Sequence, residues 1–557
     1  MKPLSEYPRP QLERDSYISL NGVWEYAIRK EADIPESFDG GILVPYSPET
    51  PLSGVNKTVR PDDYLFYRLK FTLPKDFIKD EVILHFTAVD QIAEVYLNDV
   101  YLGKHIGGFL PFSFKIKPYL REKNTLILRV VDVTDTSYHS RGKQKTERGG
   151  IWYTPQSGIY MPVWLESVNK NYIEEIKLTP DIDNKNLKIY VKSAAKSVYF
   201  SLNQEKLEIE TNKEVEIKIN DLRLWSPEDP YLYYFTLESD DDKVKSYFAM
   251  RKISTIFNDK KQRIICLNNK PYFMRGVLDQ GYYHDGFLTP KSYEEYIKDI
   301  KLAKDLGFNT IRKHIKIEPL RWYYECDKIG MLVWQDFVNA GESYIYWITT
   351  WPILLKFHIP DTWHGILRRK DLDGRRETLQ EFKDTINYLY NYPCIVLWTI
   401  FNEGWGQFDS KKVYKEIKPL DNTRLFDHAS GWHDQGISDV KSMHVYFRRA
   451  KMPFKFHQKK RALVISEIGA FIYPIKGHMM EGKNVYDVFE TGDKWLKQYE
   501  DFINLDIVKN IPKGLCAFIY TQLSDVEEEL NGFITYDREV LKIPTEIIKA
   551  LNEKATY

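Results

Sequence analysis

The chain has 557 residues, with 79 Lys and Arg against 79 Asp and Glu, and so no formal net charge at neutral pH. That length holds two to four domains and a large core, and 43% apolar with 28% charged residues excludes a disordered chain. The balanced charge gives no basic excess for nucleic acid. No apolar run approaches the roughly 18 residues a membrane span needs. The first ten residues, Met1 to Pro10, hold no apolar signal core, so a cytoplasmic protein without membrane attachment is expected. Aromatic residues reach 15%, with 13 Trp and 39 Tyr, which suits β-rich packing and sugar clefts. Cys266, Cys326, Cys394 and Cys516 form no CxxC pair, and each lies in or beside an apolar run, as buried free thiols in a reducing compartment do.

Residues 1–170 are strand-rich. Leu20 to Tyr26, Ala88 to Asn98, Val100 to Gly103, Ser113 to Ile116 and Thr125 to Val131 are short runs punctuated by Gly and Pro, without a persistent helical period. A jelly-roll β-sandwich is the expected fold. The polar stretch from Asp132 to Gly150 interrupts it. A loop of that length is either disordered or functional. Residues 171–262 carry further short strands, Ile173 to Leu178, Leu187 to Val191, Val215 to Ile219, Tyr231 to Leu237 and Val244 to Phe248, the pattern of an immunoglobulin-like sandwich. Trp225, in the Pro-rich corner Trp225 to Pro230, reads as packing.

From residue 263 to 557 strands alternate with helical stretches, which predicts a (β/α)8 TIM barrel. Its strands are expected at Phe273 to Val277, Thr310 to Arg312, Met331 to Trp334, Ile395 to Ile400, Arg424 to Asp427, Met443 to His444, Leu463 to Ile465 and Leu515 to Tyr520. Helices are expected at Tyr293 to Leu306, Pro319 to Cys326, Arg376 to Tyr390 and Pro544 to Leu551.

Two buried strands end in acids. The fourth runs through Thr399-Ile400-Phe401 into Asn402-Glu403-Gly404-Trp405, and the seventh through Ile465-Ser466 into Glu467. An unpaired charge at the end of a buried strand is costly, and the C-terminal ends of barrel strands are where chemistry sits. Glu403 and Glu467 would face each other across the barrel mouth. Two facing carboxylates are what glycoside hydrolysis needs: one protonated for the leaving oxygen, the other ionised. A gap of about 5 Å means retention of configuration and a wider one inversion.

Other polar residues occupy matching strand ends. Arg312 would hold a neighbouring nucleophile ionised, and His314 would bond the sugar or orient an acid. Asp279 follows the first strand, Asp336 ends the third, and His444 and Tyr446 follow the sixth, where a Tyr would steady Glu467. Asn402 is placed for a sugar 2-hydroxyl. Trp405 offers a face to a pyranose, and Trp398 either does the same or packs in the core. No HExxH or Cys/His spacing supports a soft-metal site, and no dinucleotide or phosphate-cradling loop follows any strand. Carboxylate-bound Mg2+ or Na+ has no motif behind it.

The motifs Phe273-Met274-Arg275-Gly276-Val277, Phe308-Asn309-Thr310-Ile311-Arg312-Lys313-His314 and Asn402-Glu403-Gly404-Trp405 resemble glycoside hydrolase family 2, the β-galactosidases, β-glucuronidases and β-mannosidases. The likeness covers nearly the whole chain and includes the three-domain core. It implies Glu403 as acid/base, Glu467 as nucleophile, retention, and Arg312, His314 and Asn402 in the active site, with His444 or Tyr446 beside the nucleophile. It aligns the Asp132 to Gly150 loop with a first-domain loop that reaches the active site, with Asp135 as its candidate residue. The chain departs from the pattern after strand one (Leu278 to Gly286), after strand three (Gln335-Asp336) and after strand eight (Tyr520 to Glu527), where the Asn-x-Lys signature of β-glucuronidases is not apparent. This looks like a divergent subgroup.

The expected activity is therefore a retaining exo-β-glycosidase, β-galactosidase first, with α-L-arabinofuranosidase, β-glucuronidase and β-mannosidase as alternatives on the same scaffold. A non-enzymatic carbohydrate-binding protein is the rival, and two intact carboxylates speak against it. No cofactor is required on this reading. The partner is a glycoside or oligosaccharide, and the two β-domains offer surface for a homo-oligomer.

Overall fold

The computed structural model describes residues 2–355, 357–452, 460–482 and 486–557. The first domain is a sandwich of a six-stranded sheet on a four-stranded one. In Asn124–Val131 every second residue is buried, so Leu126, Leu128 and Val130 face the core while Ile127 and Arg129 face outward. That strand lies between Tyr64–Phe71 and Ile92–Leu97, with Leu126 opposite Leu69 and Leu97. The second domain packs Ile173–Asp181, Asn186–Ser193 and Glu214–Lys218 against a four-stranded antiparallel sheet over its own apolar core. Trp225 is fully buried and donates its Nε1–H to the Asp327 carbonyl at 2.8 Å, joining that domain to the barrel.

The third domain is an eight-stranded parallel barrel. Its strands are Met274–Asp279, Thr310–Lys313, Leu332–Asp336, Ile395–Thr399, Leu425–Asp427, Val440–Val445, Ala462–Gly469 and Leu515–Thr521. Each pairs in parallel with its sequence neighbours except strands five and six, and the eighth pairs with the first. The seam lies between strands five and six, where Asp439 N donates to Phe426 O at 3.1 Å and the Asp439 carboxylate accepts from Phe426 N at 2.9 Å. The strands are buried on both faces, which is why they read as unbroken apolar runs.

The first barrel helix, Tyr293–Asp305, buries Tyr293, Tyr296, Ile300 and Ala303 at helical spacing. The second, Leu320–Ile329, starts after Pro319 and stops at Gly330 (φ +80°). The helix expected from Arg376 begins a turn earlier, as Leu372–Leu389. Strand five has no helix after it. Residues 428–439 form a loop with positive φ at Gly431, His433, Gly436 and Ser438, so their turn residues prevail over the alternating pattern. The Asp132 to Gly150 stretch is an ordered strap onto the barrel. Arg141 N donates to Asn339 O at 3.1 Å, Ser140 Oγ to Glu381 Oε1 at 2.9 Å, and Gln91 Nε2 to Ser140 O at 3.0 Å. No described helix is long and apolar enough to cross a bilayer.

Candidate active site

Strand four ends at Thr399, and Glu403 lies beyond it in a tight turn. Its position is fixed by backbone pairing, with Glu403 N donating to Ser430 O at 2.9 Å. Glu403 takes φ +49°, uncommon for a residue with a Cβ. Gly404 follows at φ +76°, where a Cβ would come within 2.6 Å of the His433 ring. Glu467 sits within strand seven opposite His444, and the register slips on both strands at this point. Such bulges re-aim side chains beside sites. One carboxylate oxygen of each glutamate and a ring nitrogen of His444 lie within 4.8 Å of one another.

Arg312 organises the floor. It chelates Asp336 through Nε and Nη2, donates from Nη1 to Glu467 Oε1 at 3.0 Å and Ser466 O at 2.9 Å, and from Nη2 to Asn402 Oδ1 at 2.8 Å. Tyr446 donates its hydroxyl to Glu467 Oε2 at 2.6 Å. His444 Nδ1 lies 2.7 Å from Glu403 Oε1 and 3.6 Å from Glu467 Oε2. Its Nε2 meets Ser430 Oγ at 2.9 Å, and Ser430 donates onward to Ser466 Oγ at 2.8 Å. Ser430 is therefore left to accept from Nε2, which turns Nδ1 to Glu403.

The two glutamates are driven apart electrostatically. Burial, then the Glu467 charge, pushes the Glu403 carboxyl above its ordinary value, only partly offset by His444. Burial also works to raise Glu467, but His444, Arg312 and the Tyr446 hydroxyl outweigh it and hold Glu467 below its ordinary value. Burial, with the charges of Lys143 and Arg312, drives the His314 pKa well down, so its ring is neutral. His314 Nδ1 meets Gln280 Oε1 at 2.9 Å, which leaves Nε2 as an acceptor. That Nε2 and Asn402 Nδ2 are buried without a partner among the described residues. His314 Nε2 lies 3.6 Å from Glu467 Oε1 and Asn402 precedes Glu403, so a polyhydroxylated ligand bound at the pair would satisfy both atoms.

A cavity of about 760 Å³ opens above Glu403. Its walls include Trp152, Tyr344, Trp351, Trp405, Trp432 and Tyr486. Trp152 follows the strap of the first domain, and its ring centroid lies 4.9 Å from that of Trp405. Tyr346 and Trp351, from the segment after strand three, remain 71% and 49% exposed at the rim.

The structure brings Glu403, Glu467, Asn402, Arg312, His314, His444, Tyr446, Trp405 and Asp336 together, with Asp336 acting through Arg312. It does not bring Asp279 or Asp135 to the pair. Asp279 is ion-paired with Lys313 at 2.6 Å, on the other side of strand two. Asp135 lies in the right loop but accepts from Thr146 N at 3.1 Å and Thr146 Oγ1 at 2.7 Å, folding the strap onto itself. Trp398 is core: it is fully buried, stacks on Phe337 and donates to Asp421 at 2.9 Å. Sequence reasoning missed Lys143, Trp152 and Tyr486. The first two belong to or follow the strap that was marked as a whole, and Tyr486 carries no local signal.

Two groups among the described residues have metal-like geometry. One is Glu403, His444 and Glu467 themselves, whose first two members already bond each other. The other is His478, Asp537 and Glu539, part-exposed or exposed.

Residues 259–551 match the TIM barrel domain of glycosyl hydrolases family 2, residues 48–168 its sugar binding domain, and 165–251 a further domain of the same family. A β-galactosidase of Thermoanaerobacter pseudethanolicus is 26% identical over 457 residues, 75% of this chain and 56% of that one. The chain spans about half the length of the curated β-galactosidases it matches. The fold of a β-D-glucuronidase from Dictyoglomus thermophilum superposes with TM-score 0.76 at 19% identity, covering 99% of both chains. A β-galacturonidase from Eisenbergiella tayi, solved with galacturonate, gives TM-score 0.72 at 18% identity over 98% of this chain and 99% of that one. With more than half of its length matched to the barrel model and both β-domains matched in order, the chain belongs to glycosyl hydrolases family 2.

Proposed function

We propose that the chain is a retaining exo-acting β-glycosidase, with Glu403 as acid/base and Glu467 as nucleophile. One observation carries this reading: two buried carboxylates within 4.8 Å whose surroundings favour the proton on Glu403 and the charge on Glu467. Glu467 attacks the anomeric carbon while Glu403 gives its proton to the departing oxygen. The Glu467 charge then disappears into the ester, so the repulsion that held the proton on Glu403 goes with it. Glu403 is thereby prepared to take a proton from the water that releases the sugar. Arg312 and Tyr446 aim Glu467. Asn402 Nδ2 is free to donate to the 2-hydroxyl and His314 Nε2 to accept from a neighbouring one.

For the glycone we propose a β-uronide, glucuronide or galacturonide, in place of the galactoside expected from sequence. The support is that a solved β-D-glucuronidase and a solved β-galacturonidase match this chain end to end, while curated β-glucuronidases and β-galactosidases alike extend beyond it. A β-galactoside is the second reading, favoured by those sequence relatives. The test is hydrolysis of aryl β-glucuronide, β-galacturonide, β-galactoside, β-glucoside, β-mannoside and α-L-arabinofuranoside by wild type and Glu467→Ala. One strong signal that falls on the order of 10⁴-fold in the variant supports the reading. Turnover that survives Glu467→Ala removes Glu467 as nucleophile.

A further inference from the structure

We infer that Lys143, carried on the strap from the first domain, is the residue that reads the carboxylate of a uronic-acid glycone. This rests on the glycosidase reading above and names the determinant of its substrate class. Around the glutamate pair almost every cation is already committed. Arg312 is spent on Asp336, Glu467 and Asn402. Lys313 is spent on Asp279 and Glu318, and Lys316 on Glu318 and two carbonyls. Arg148 faces Glu527 and Glu528. Arg141 also lines the cavity, but it gives its protons to the Gly341 and Gln144 carbonyls and lies over Trp152 and Tyr344.

Lys145 lines the cavity without an ion-pair partner among the described residues but is only half-buried, and Lys143 is the buried exception. It is 4% exposed, and among the described residues its ammonium has one acceptor, the Ile151 carbonyl at 3.0 Å, with no carboxylate in ion-pair contact. An ammonium has three protons, and burying one without a counter-charge is expensive. Its nitrogen lies 5.0 Å from the centroid of Trp405, a wall of the cavity over Glu403. After burial, its charge is the largest influence on His314 and Glu529, and it adds a smaller one to Glu403 and Glu467. Trp405 joins it to the site, with the His314 ring centroid 6.1 Å from that of Trp405 on which Lys143 lies. Glu529 is the nearby acid that would oppose a second carboxylate. Burial pushes it up toward its neutral form, and Tyr153 donates to it, which weakens that opposition.

The position is preorganised. Tyr153 N donates to Lys143 O at 3.0 Å, and the next residue, Gln144, bonds the buried Asp90 at 2.6 Å and the Gln156 backbone at 2.7 Å. Gly142 precedes it at φ +64°, where a Cβ would meet the Ile315 carbonyl at 3.1 Å, so the strap passes against the barrel at this point. A rigid, desolvated ammonium with unspent protons suits a carboxylate better than a hydroxyl, because the ligand supplies the missing charge.

The experiment compares wild type, Lys143→Met and Lys143→Arg on paired aryl substrates: para-nitrophenyl β-glucuronide against β-glucoside, and β-galacturonide against β-galactoside. The expected result is that Lys143→Met loses about 100-fold in kcat/KM on the preferred uronide, mostly through KM, and only a few-fold on its neutral partner, with Lys143→Arg recovering part of the loss. Equal losses on both members of a pair, an unchanged uronide rate, or a wild type that prefers the neutral sugar would overturn the assignment. Failure of all Lys143 variants to fold, seen as loss of the cooperative thermal transition, would also overturn it by making Lys143 structural. The glycosidase reading fails separately, when no glycoside is hydrolysed or Glu467→Ala is without effect.

Discussion

Arg312 and Lys313 are consecutive on barrel strand two, both fully buried, and each is ion-paired to two carboxylates. Around Lys313 the charges are matched. Asp279 accepts from it and from Gly281 N, while Glu318 accepts from Lys313, Lys316 and Tyr296. Around Arg312 the matching is incomplete: His314 Nε2 and Asn402 Nδ2 have no partner among the described residues, and one of the two acids it approaches, Glu467, faces Glu403. A matched buried cluster is architecture, because its desolvation is already repaid by pairing. A buried cluster with unpartnered atoms beside a facing pair of acids has hydrogen bonds left to give a ligand.

The largest effect that would sharpen this contrast belongs to Glu403→Gln, which keeps the shape and removes the proton. On a glycoside with a poor leaving group kcat should fall on the order of 10³-fold, and far less on a para-nitrophenyl glycoside that needs no protonation. Equal losses on both would mean that Glu403 is not the acid. On the matched side, Lys313→Met leaves Asp279 and Glu318 short of a cation. It should cost about 3–5 kcal/mol in urea unfolding while the folded enzyme keeps kcat/KM within about tenfold. A catalytic collapse at unchanged stability would break the comparison.

Tyr446→Phe comes next. The Tyr446 hydroxyl bonds the ionised form of Glu467 at 2.6 Å, and a bond to a charged group contributes about 1.5–3 kcal/mol, so kcat should fall about 10–100-fold. That bond lowers the Glu467 pKa, and its loss raises it. Activity requires ionised Glu467 and protonated Glu403, so the acidic limb of the pH–rate profile should move to higher pH while the basic limb, set by Glu403, moves less. A shift of the acidic limb to lower pH would contradict the assignment. The smallest effect is Asp135→Ala, which loses only its bonds to Thr146. A stability cost of about 1 kcal/mol and little change in kcat/KM are expected, whereas a large rate loss would put Asp135 back in the site.

The same contrast explains what could be read from the sequence. The barrel strands stood out because burial on both faces makes them apolar runs, and Glu403 and Glu467 stood out because acids seldom end such runs. Tyr446 and Arg312 followed from their places at strand ends. Pairing was not legible. Asp279 and Asp336 occupy similar strand ends, yet one answers Lys313 and the other Arg312, and only the closed barrel decides which side of strand two each reaches. Asp135 lies in the right loop, but the strap sets Lys143 over the Trp405 ring and leads Trp152 into the cavity wall, while it turns Asp135 back onto Thr146. That geometry depends on Ser140 and Arg141 docking on residues some 200 positions away, which leaves no local trace. The missing helix after strand five was visible only as a cluster of turn residues.

The most direct test of the account is to trap the intermediate. The enzyme is treated with the 2-deoxy-2-fluoro derivative of its best aryl glycoside and digested, and the labelled peptide is sequenced by mass spectrometry. The account predicts one sugar per chain, ester-linked to Glu467, and no label in Glu467→Ala. A label on Glu403, or hydrolysis of the natural glycoside with inversion and no labelled enzyme, would contradict it.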